Sequence, residues 1–323
     1  MITDEHLHFY QEIASILEQS HFTLSTPLLG CGGCFDLVAK KQHLLLLVKV
    51  LLSVDGLRED QAYELRKLAI MLEAFPLIVS RQIRNNAMIE DGVVYTRYDI
   101  PALSTETFRN LLINHNPPLI YASRGGFKVK FDGSVLRDKR IQKNYSMGDF
   151  AREIGVSKRA IYEYEHGTVD VSLETAMKIE DLLDEPLTLA INLFEEMKQI
   201  GSVATPAAYS NEPRSILERE VKEHFDIIGL KDQLWTRKIP IRVLAKALLP
   251  EEKHGSTTIT GIAEESKKED VMRKIQVTYS ISKLANADPL VIVSSENQKT
   301  NVDGVKIYSI DELIKQAKKE SKD

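Results

Sequence analysis

Three side chains in the stretch SKRAIYEYEHG, Ser157 to Gly167, have the types and spacing to meet the edges of base pairs. On a helix, Lys158, Arg159 and Tyr162 project from the N-terminal half of one face, while Ile161 and Tyr164 share a face that can pack inward. Cationic donors in that position would reach base edges or phosphates in a major groove. Ser157 caps the same helix, and a capped helix N-terminus offers its unpaired N–H groups to a phosphate.

Such a helix has to be held at an angle by another. The preceding residues, SMGDFAREIGV, supply it: Ser146 is an N-cap with Asp149 three residues on, so a helix starts there. Phe150, Ala151 and Ile154 form its inward stripe, and Gly155 ends it, because glycine accepts the left-handed backbone of a tight turn. The result is a helix, a glycine turn and a second helix. Ser146, at the start of the first, is a further candidate for a phosphate contact.

Residues 134 to 183 resemble the lambda-repressor/Cro-like helix-turn-helix family. The resemblance implies double-stranded DNA as the partner, read by a homodimer over two half-sites. It also implies that Arg140, in the first helix VLRDKRIQKN, pairs with Glu165 near the end of the recognition helix as a structural salt bridge. Asn144 falls where the family has a left-handed residue, which asparagine tolerates. The chain departs from the pattern at Met147, where the family often has a glutamine that touches a phosphate.

Charge is distributed accordingly. The interval from Arg124 to Arg159 carries a net charge of +6, and the interval from Ala160 to Ile200 carries −8, within a chain of net charge −5. The positive field is therefore confined to the half of the module that would face DNA.

At 323 residues, with 43% hydrophobic and 28% charged residues, the chain is long enough for two or three domains with ordinary cores. Its first residues, MITDEHLHFYQEI, do not read as a signal peptide. The longest apolar run, LLLLVKVLL from Leu44 to Leu52, contains Lys49 and falls short of the about 20 residues that span a bilayer, so it reads as a buried strand. The expectation is a cytoplasmic protein with no membrane partner. Cys31 and Cys34 form a lone CxxC without further ligands at zinc spacing, so no metal is expected. A structural role and a redox switch both remain open for the pair. No cofactor or effector motif is visible, and the eight histidines are scattered.

The two flanks resemble one another. On the N-terminal side CFDLVAKK, HLLLLVKV, a helical stretch, PLIVS and Asp91-Gly92 follow in order; on the C-terminal side come PIRVLAKA, STTITGIA, a helical stretch, PLVIVS and Asp303-Gly304. Repeated order of this kind points to two copies of one α/β unit. That unit resembles the restriction-endonuclease-like, or PD-(D/E)xK, fold. In active members an aspartate and an acidic-x-lysine triplet hold a divalent metal. Here Asp36 stands at the first position and Lys49 at the last, with Leu47 in the acidic place, which makes this a degenerate nuclease site. Arg242 replaces the aspartate in the second copy.

The expected architecture is multidomain: an all-α lambda-repressor-like helix-turn-helix between two α/β domains of restriction-endonuclease type. Its parts are a nuclease-like domain (1–119), a β-hairpin linker (120–133), the DNA-binding domain (134–200), a second linker (201–215) and a second nuclease-like domain (216–323). The hairpin carries Arg124, Lys128 and Lys130 as further candidates for phosphate or minor-groove contact. The expected function is a sequence-specific DNA-binding regulator without catalytic activity, whose flanks dimerise, clamp DNA or sense a signal. The alternative is a nuclease steered to its site by the helix-turn-helix. An archaeal family of helix-turn-helix regulators with α/β flanks resembles most of the chain.

Overall fold

The computed structural model describes residues 3–28, 33–84, 87–196, 211–227, 230, 232–237, 241–246, 257–264, 268–294 and 302–312. They pack into two compact units, residues 1–78 with 200–323, and residues 79–199.

The chain opens with helix α1 (Asp4–Gln19), followed by β1 (Thr23–Leu24), β2 (Leu37–Lys41), β3 (Leu44–Ser53), α2 (Glu59–Met71) and β4 (Phe75–Gln82), which leads into the second unit. Thr3 caps α1 by accepting a hydrogen bond from the His6 N–H at 3.2 Å. The helix lays Phe9, Ile13, Ile16 and Leu17 inward and packs on β3. Strand β3 is the apolar run containing Lys49, buried from Leu45 to Val50, and the strand order here is β1-β2-β3-β4.

The second unit holds β5 (Val93–Arg97), β6 (Ile100–Leu103), α3 (Thr105–Leu112), β7 (Ile120–Ser123), β8 (Gly126–Val129), α4 (Gly133–Gln142), α5 (Met147–Ile154), α6 (Lys158–Glu165), β9 (Val171–Ser172), α7 (Leu173–Leu183) and α8 (Leu193–Glu196). The β7–β8 hairpin is built into a sheet: β7 pairs with β5 in parallel, and β8 pairs with β9 antiparallel. Val129, Phe131 and Val171 from this ribbon share one core with Leu136, Phe150, Ile154, Ile161 and Ile179 from the helices. Ribbon and helices are thus a single packed body.

The chain returns to the first unit with α9 (Ile216–Ile227), β10 (Asp232–Trp235), β11 (Ile241–Lys246), β12 (Thr257–Ala263), α10 (Lys268–Ala285), β13 (Asp288–Val293) and β14 (Lys306–Ser309). These strands form a sheet in the order β10-β11-β12-β13-β14. The sequence α9-β10-β11-β12-α10-β13 repeats α1-β1-β2-β3-α2-β4, and in each copy the first three strands are antiparallel neighbours. Most of the second proposed linker, residues 201–210, and most of the last expected helix lie outside the described residues, as does Cys31.

The two copies pack on each other by exchanged contacts: α2 lies on β11, and α10 lies on β2. Hydrogen bonds among the described residues that join them include Thr26 N–H to Ser280 Oγ (2.9 Å), Lys40 Nζ to Asn286 Oδ1 (2.8 Å) and Arg237 N–H to Glu64 Oε1 (3.0 Å). Reciprocal use of the same two elements is the form of a two-fold interface, here within one chain. Among the described residues no helix is long and apolar enough to cross a membrane.

Candidate nucleic-acid interface

Helices α5 and α6 are each started by a serine. The Ser146 hydroxyl accepts from Asp149 N–H at 3.1 Å, and the Ser157 hydroxyl accepts from Ala160 N–H at 3.0 Å. Ser146 also donates to the Asp149 carboxylate, which holds that carboxyl below its usual range. Between the helices Gly155 adopts φ 80°, and its N–H and that of Val156 close the turn on Ala151. Asn144, after α4, stands at φ 61°.

The inward side of α6 is set by Ile161, which is fully buried, and by half-buried Tyr164. Its outward side carries Lys158, Arg159 and Tyr162, all exposed. Arg159 reaches its guanidinium along the helix to Glu163 at 2.9 Å, with the arginine side chain 86% exposed. Such a pair contributes little to stability, so its geometry constrains the arginine without locking it. Tyr162 stacks on His166, with ring centroids 3.9 Å apart, and the His166 Nδ1 lies 2.7 Å from the Tyr162 carbonyl. Lys158, Arg159 and Tyr162 therefore form one exposed surface bordered by the α6 N-terminus.

The far end of α6 is anchored. Glu165 is buried and accepts from Arg140 Nε at 2.5 Å and Nη2 at 3.3 Å, while Arg140 Nη1 donates to the Tyr145 carbonyl at 2.7 Å. This fork ties α4 to α6 and to the turn after α4. Gly133, the first residue of α4, explains how they come so close: a Cβ there would lie 2.5 Å from the Glu165 carbonyl oxygen. Sequence reasoning missed Gly133, because nothing local distinguishes it from a turn glycine. Arg124 is exposed at the ribbon tip and Lys128 half-buried beside it. Lys130 lines a cavity farther down the ribbon with Tyr121 and Asp170.

Asp36 and Lys49 face each other across β2 and β3. Lys49 Nζ donates to Asp36 Oδ1 at 3.0 Å and to the Gly33 carbonyl at 2.9 Å, and Asp36 Oδ2 accepts from Val50 N–H at 2.8 Å. Both are buried, and Leu47 is fully buried between them in sequence. Glu64, on α2, is a further buried carboxylate that the motif did not flag. Cys34 lies in the same region, and its burial pushes the thiol well above its ordinary pKa. A buried thiol is a poor nucleophile and metal ligand. Among the described residues no group of three or more His, Cys, Asp or Glu could hold a metal ion.

Among the described residues the second copy has no counterpart of Lys49. Val38 pairs with Leu47 in the first, and Leu244 pairs with Ile259 in the second, so Gly261 stands where Lys49 does. The space is taken from the helix side: a Cβ on Gly261 would lie 2.5 Å from Thr278 Oγ1 of α10.

Family comparison agrees with this division. A sequence model described as PD-(D/E)XK superfamily domain matches residues 6–118, and one described as helix-turn-helix matches residues 136–189. A Methanococcus maripaludis protein named "Putative HTH-type transcriptional regulatory protein" is 34% identical over 312 residues, covering 94% of this chain and 92% of its own length. Proteins of the same name from Methanocaldococcus jannaschii, at 35% identity (94% and 91% covered), and Pyrococcus furiosus, at 32% (88% and 88%), match equally broadly. The chain belongs to this family. The similarity to these archaeal relatives covers most of the chain, while the two family models cover residues 6–118 and 136–189. No solved structure matches the chain.

Proposed function

We propose that the protein is a sequence-specific DNA-binding regulator of transcription that inserts α6 into the major groove. The observation that carries this is the exposed surface of Lys158, Arg159 and Tyr162 on a helix whose opposite side, Ile161 and Glu165, is buried. Arg159 and Lys158 donate to base edges with Tyr162 beside them, Ser157 and Ser146 mark helix N-termini that meet phosphates, and Arg124 and Lys128 on the ribbon add a backbone contact. Arg140, Glu165 and Gly155 are scaffold.

In this reading the protein acts as a homodimer on two half-sites about one helical turn apart, in the cytoplasm with the chromosome, and without a cofactor. In this reading 1–119, 134–200 and 216–323 are the functional divisions, joined through 201–215 and through 120–133, the latter packed into the helix-turn-helix core rather than acting as a free linker. The α/β copies are non-catalytic. Phosphodiester hydrolysis needs carboxylates facing a metal and a water, whereas Asp36 is committed to Lys49 and the Val50 amide inside the core and Leu47 offers no oxygen.

Selection of bound sequences from a random duplex library, followed by fluorescence anisotropy on the selected site, tests the proposal. Arg159→Ala should weaken specific binding by about 1–3 kcal/mol and relax preference at one position. Full affinity and unchanged sequence ranking would refute the assignment. Nicking of supercoiled DNA in Mg²⁺ or Mn²⁺ that disappears in Lys49→Met would restore the nuclease reading.

A further inference from the structure

Two of the exposed side chains of α6 are backed by the residue one turn further on. Arg159 meets Glu163, and Tyr162 meets His166. The second pair is a stack of rings, with centroids 3.9 Å apart and 28° between the planes, on a tyrosine that is otherwise 51% exposed. Residues four apart lie one above the other on a helix, and side chains lean toward its N-terminus, so the His166 ring rests against Tyr162 from behind.

His166 is itself held. Its Nδ1 lies 2.7 Å from the Tyr162 carbonyl, and because a carbonyl only accepts, Nδ1 carries the hydrogen. The same carbonyl takes the His166 main-chain N–H at 3.1 Å. On one side of His166, Glu165 is buried in its bond with Arg140. On the other, the chain turns back through Gly167, at φ 62°, to set the Thr168 N–H on the Glu163 carbonyl at 3.0 Å. A helix C-cap needs only the bond from Nδ1, whereas the stack adds a fixed surface for the tyrosine ring.

We propose that His166 is a positioning residue for base recognition: it holds the Tyr162 ring in one orientation before DNA arrives. The assignment rests on the reading of α6 as the recognition helix. An exposed tyrosine that is free to turn loses that freedom when it meets a base, which weakens binding by about three- to tenfold. Ordering the ring in advance removes that loss. It also narrows preference, because a ring held in one orientation fits fewer base pairs than one that can adapt. His166 acts through Tyr162 and makes no base contact of its own.

Anisotropy of the full chain on the selected duplex and on its single-base variants tests the assignment. His166→Ala should weaken the selected site by about three- to tenfold and flatten preference at the base pair that Tyr162→Ala also flattens. In a Tyr162→Ala chain the same change should add nothing. His166→Phe keeps a ring to stack and should restore most of the affinity and preference. His166→Asn keeps an N–H donor without the ring and should behave as His166→Ala; circular dichroism melting shows which variants fold, and the asparagine variant decides if the alanine one does not. Proton NMR of the tyrosine-labelled protein supplies an arm without DNA: the ring signal that Tyr162→Ala deletes should shift in His166→Ala and His166→Asn, and stay close to its place in His166→Phe. Full affinity and preference in His166→Ala or His166→Asn, an undiminished loss in the Tyr162→Ala chain, or a Tyr162 signal indifferent to His166 would overturn the assignment alone. Failure of the wild-type chain to select any sequence would overturn the reading of α6, and the assignment with it.

Discussion

The first and second α/β copies have one topology and opposite interiors. The first keeps a buried ion pair, Asp36 with Lys49, with Gln61 and Glu64 of α2 also buried. The second has Gly261 at the lysine position and hydroxyls where the first has hydrocarbon: Thr260 in place of Val48 by strand register, and Thr278 and Ser282 in place of Leu65 and Ala69, counting back from Pro289 and Pro76. Among the described residues the hydroxyls of Thr260, Thr278 and Ser282 are fully buried and make no hydrogen bond. A fold can thus outlive its chemistry by two routes, by locking the old charges to each other or by deleting them and accepting a less satisfied core. The second copy packs on the first through the exchanged α2–β11 and α10–β2 contacts.

If the contrast is right, the largest effect belongs to the first copy. Lys49→Met strands the Asp36 carboxylate in the core and should destabilise the first unit by about 3–5 kcal/mol in urea unfolding. The double variant Asp36→Leu with Lys49→Met, which removes both members of the pair, should recover most of the loss. An additive result would mean that the two residues do not act as a pair.

A smaller effect is expected at Gly261. Gly261→Ala drives a methyl against Thr278 and should cost about 1–3 kcal/mol by the same measurement, and Thr278→Ala in the same chain should relieve it. The smallest effect has the opposite sign. Thr260→Val removes an unsatisfied buried hydroxyl at nearly constant volume and should stabilise the chain by about 1 kcal/mol. Destabilisation there would show that the hydroxyl has a partner in solution and that the second interior is better satisfied than its described contacts indicate.

The recognition module was the most legible part of the chain. Ser146, Gly155 and Ser157 act through bonds to residues within four positions, so a local pattern contains the whole interaction. The strand-strand-helix-strand order of both copies, β2-β3-α2-β4 and β11-β12-α10-β13, was legible from apolar runs and turn residues, whereas the leading α1–β1 and α9–β10 were not read. The ribbon was harder: residues 120–133 read as a β-hairpin linker, yet β7 is paired by β5 and β8 by β9, because hydrogen bonds to strands distant in sequence leave no mark on the hairpin's own residues. Lys130, grouped with Arg124 and Lys128 by its charge, lies instead with Asp170 and Ile191 in a cavity assembled from four separate segments.

By itself the sequence determined the helix caps, the exposed triplet Lys158, Arg159 and Tyr162, the repeat, and the loss of the carboxylate at Leu47. Each is a matter of residue type and short spacing, which local backbone physics converts directly into geometry. Tertiary structure decided the rest: that Glu64 receives the Arg237 amide, that Thr278 fills the space above Gly261, and that Gly133 lets α4 touch the end of α6. These depend on which distant segments share a volume, and close packing, unlike a cap or a turn, is a property of the assembled chain.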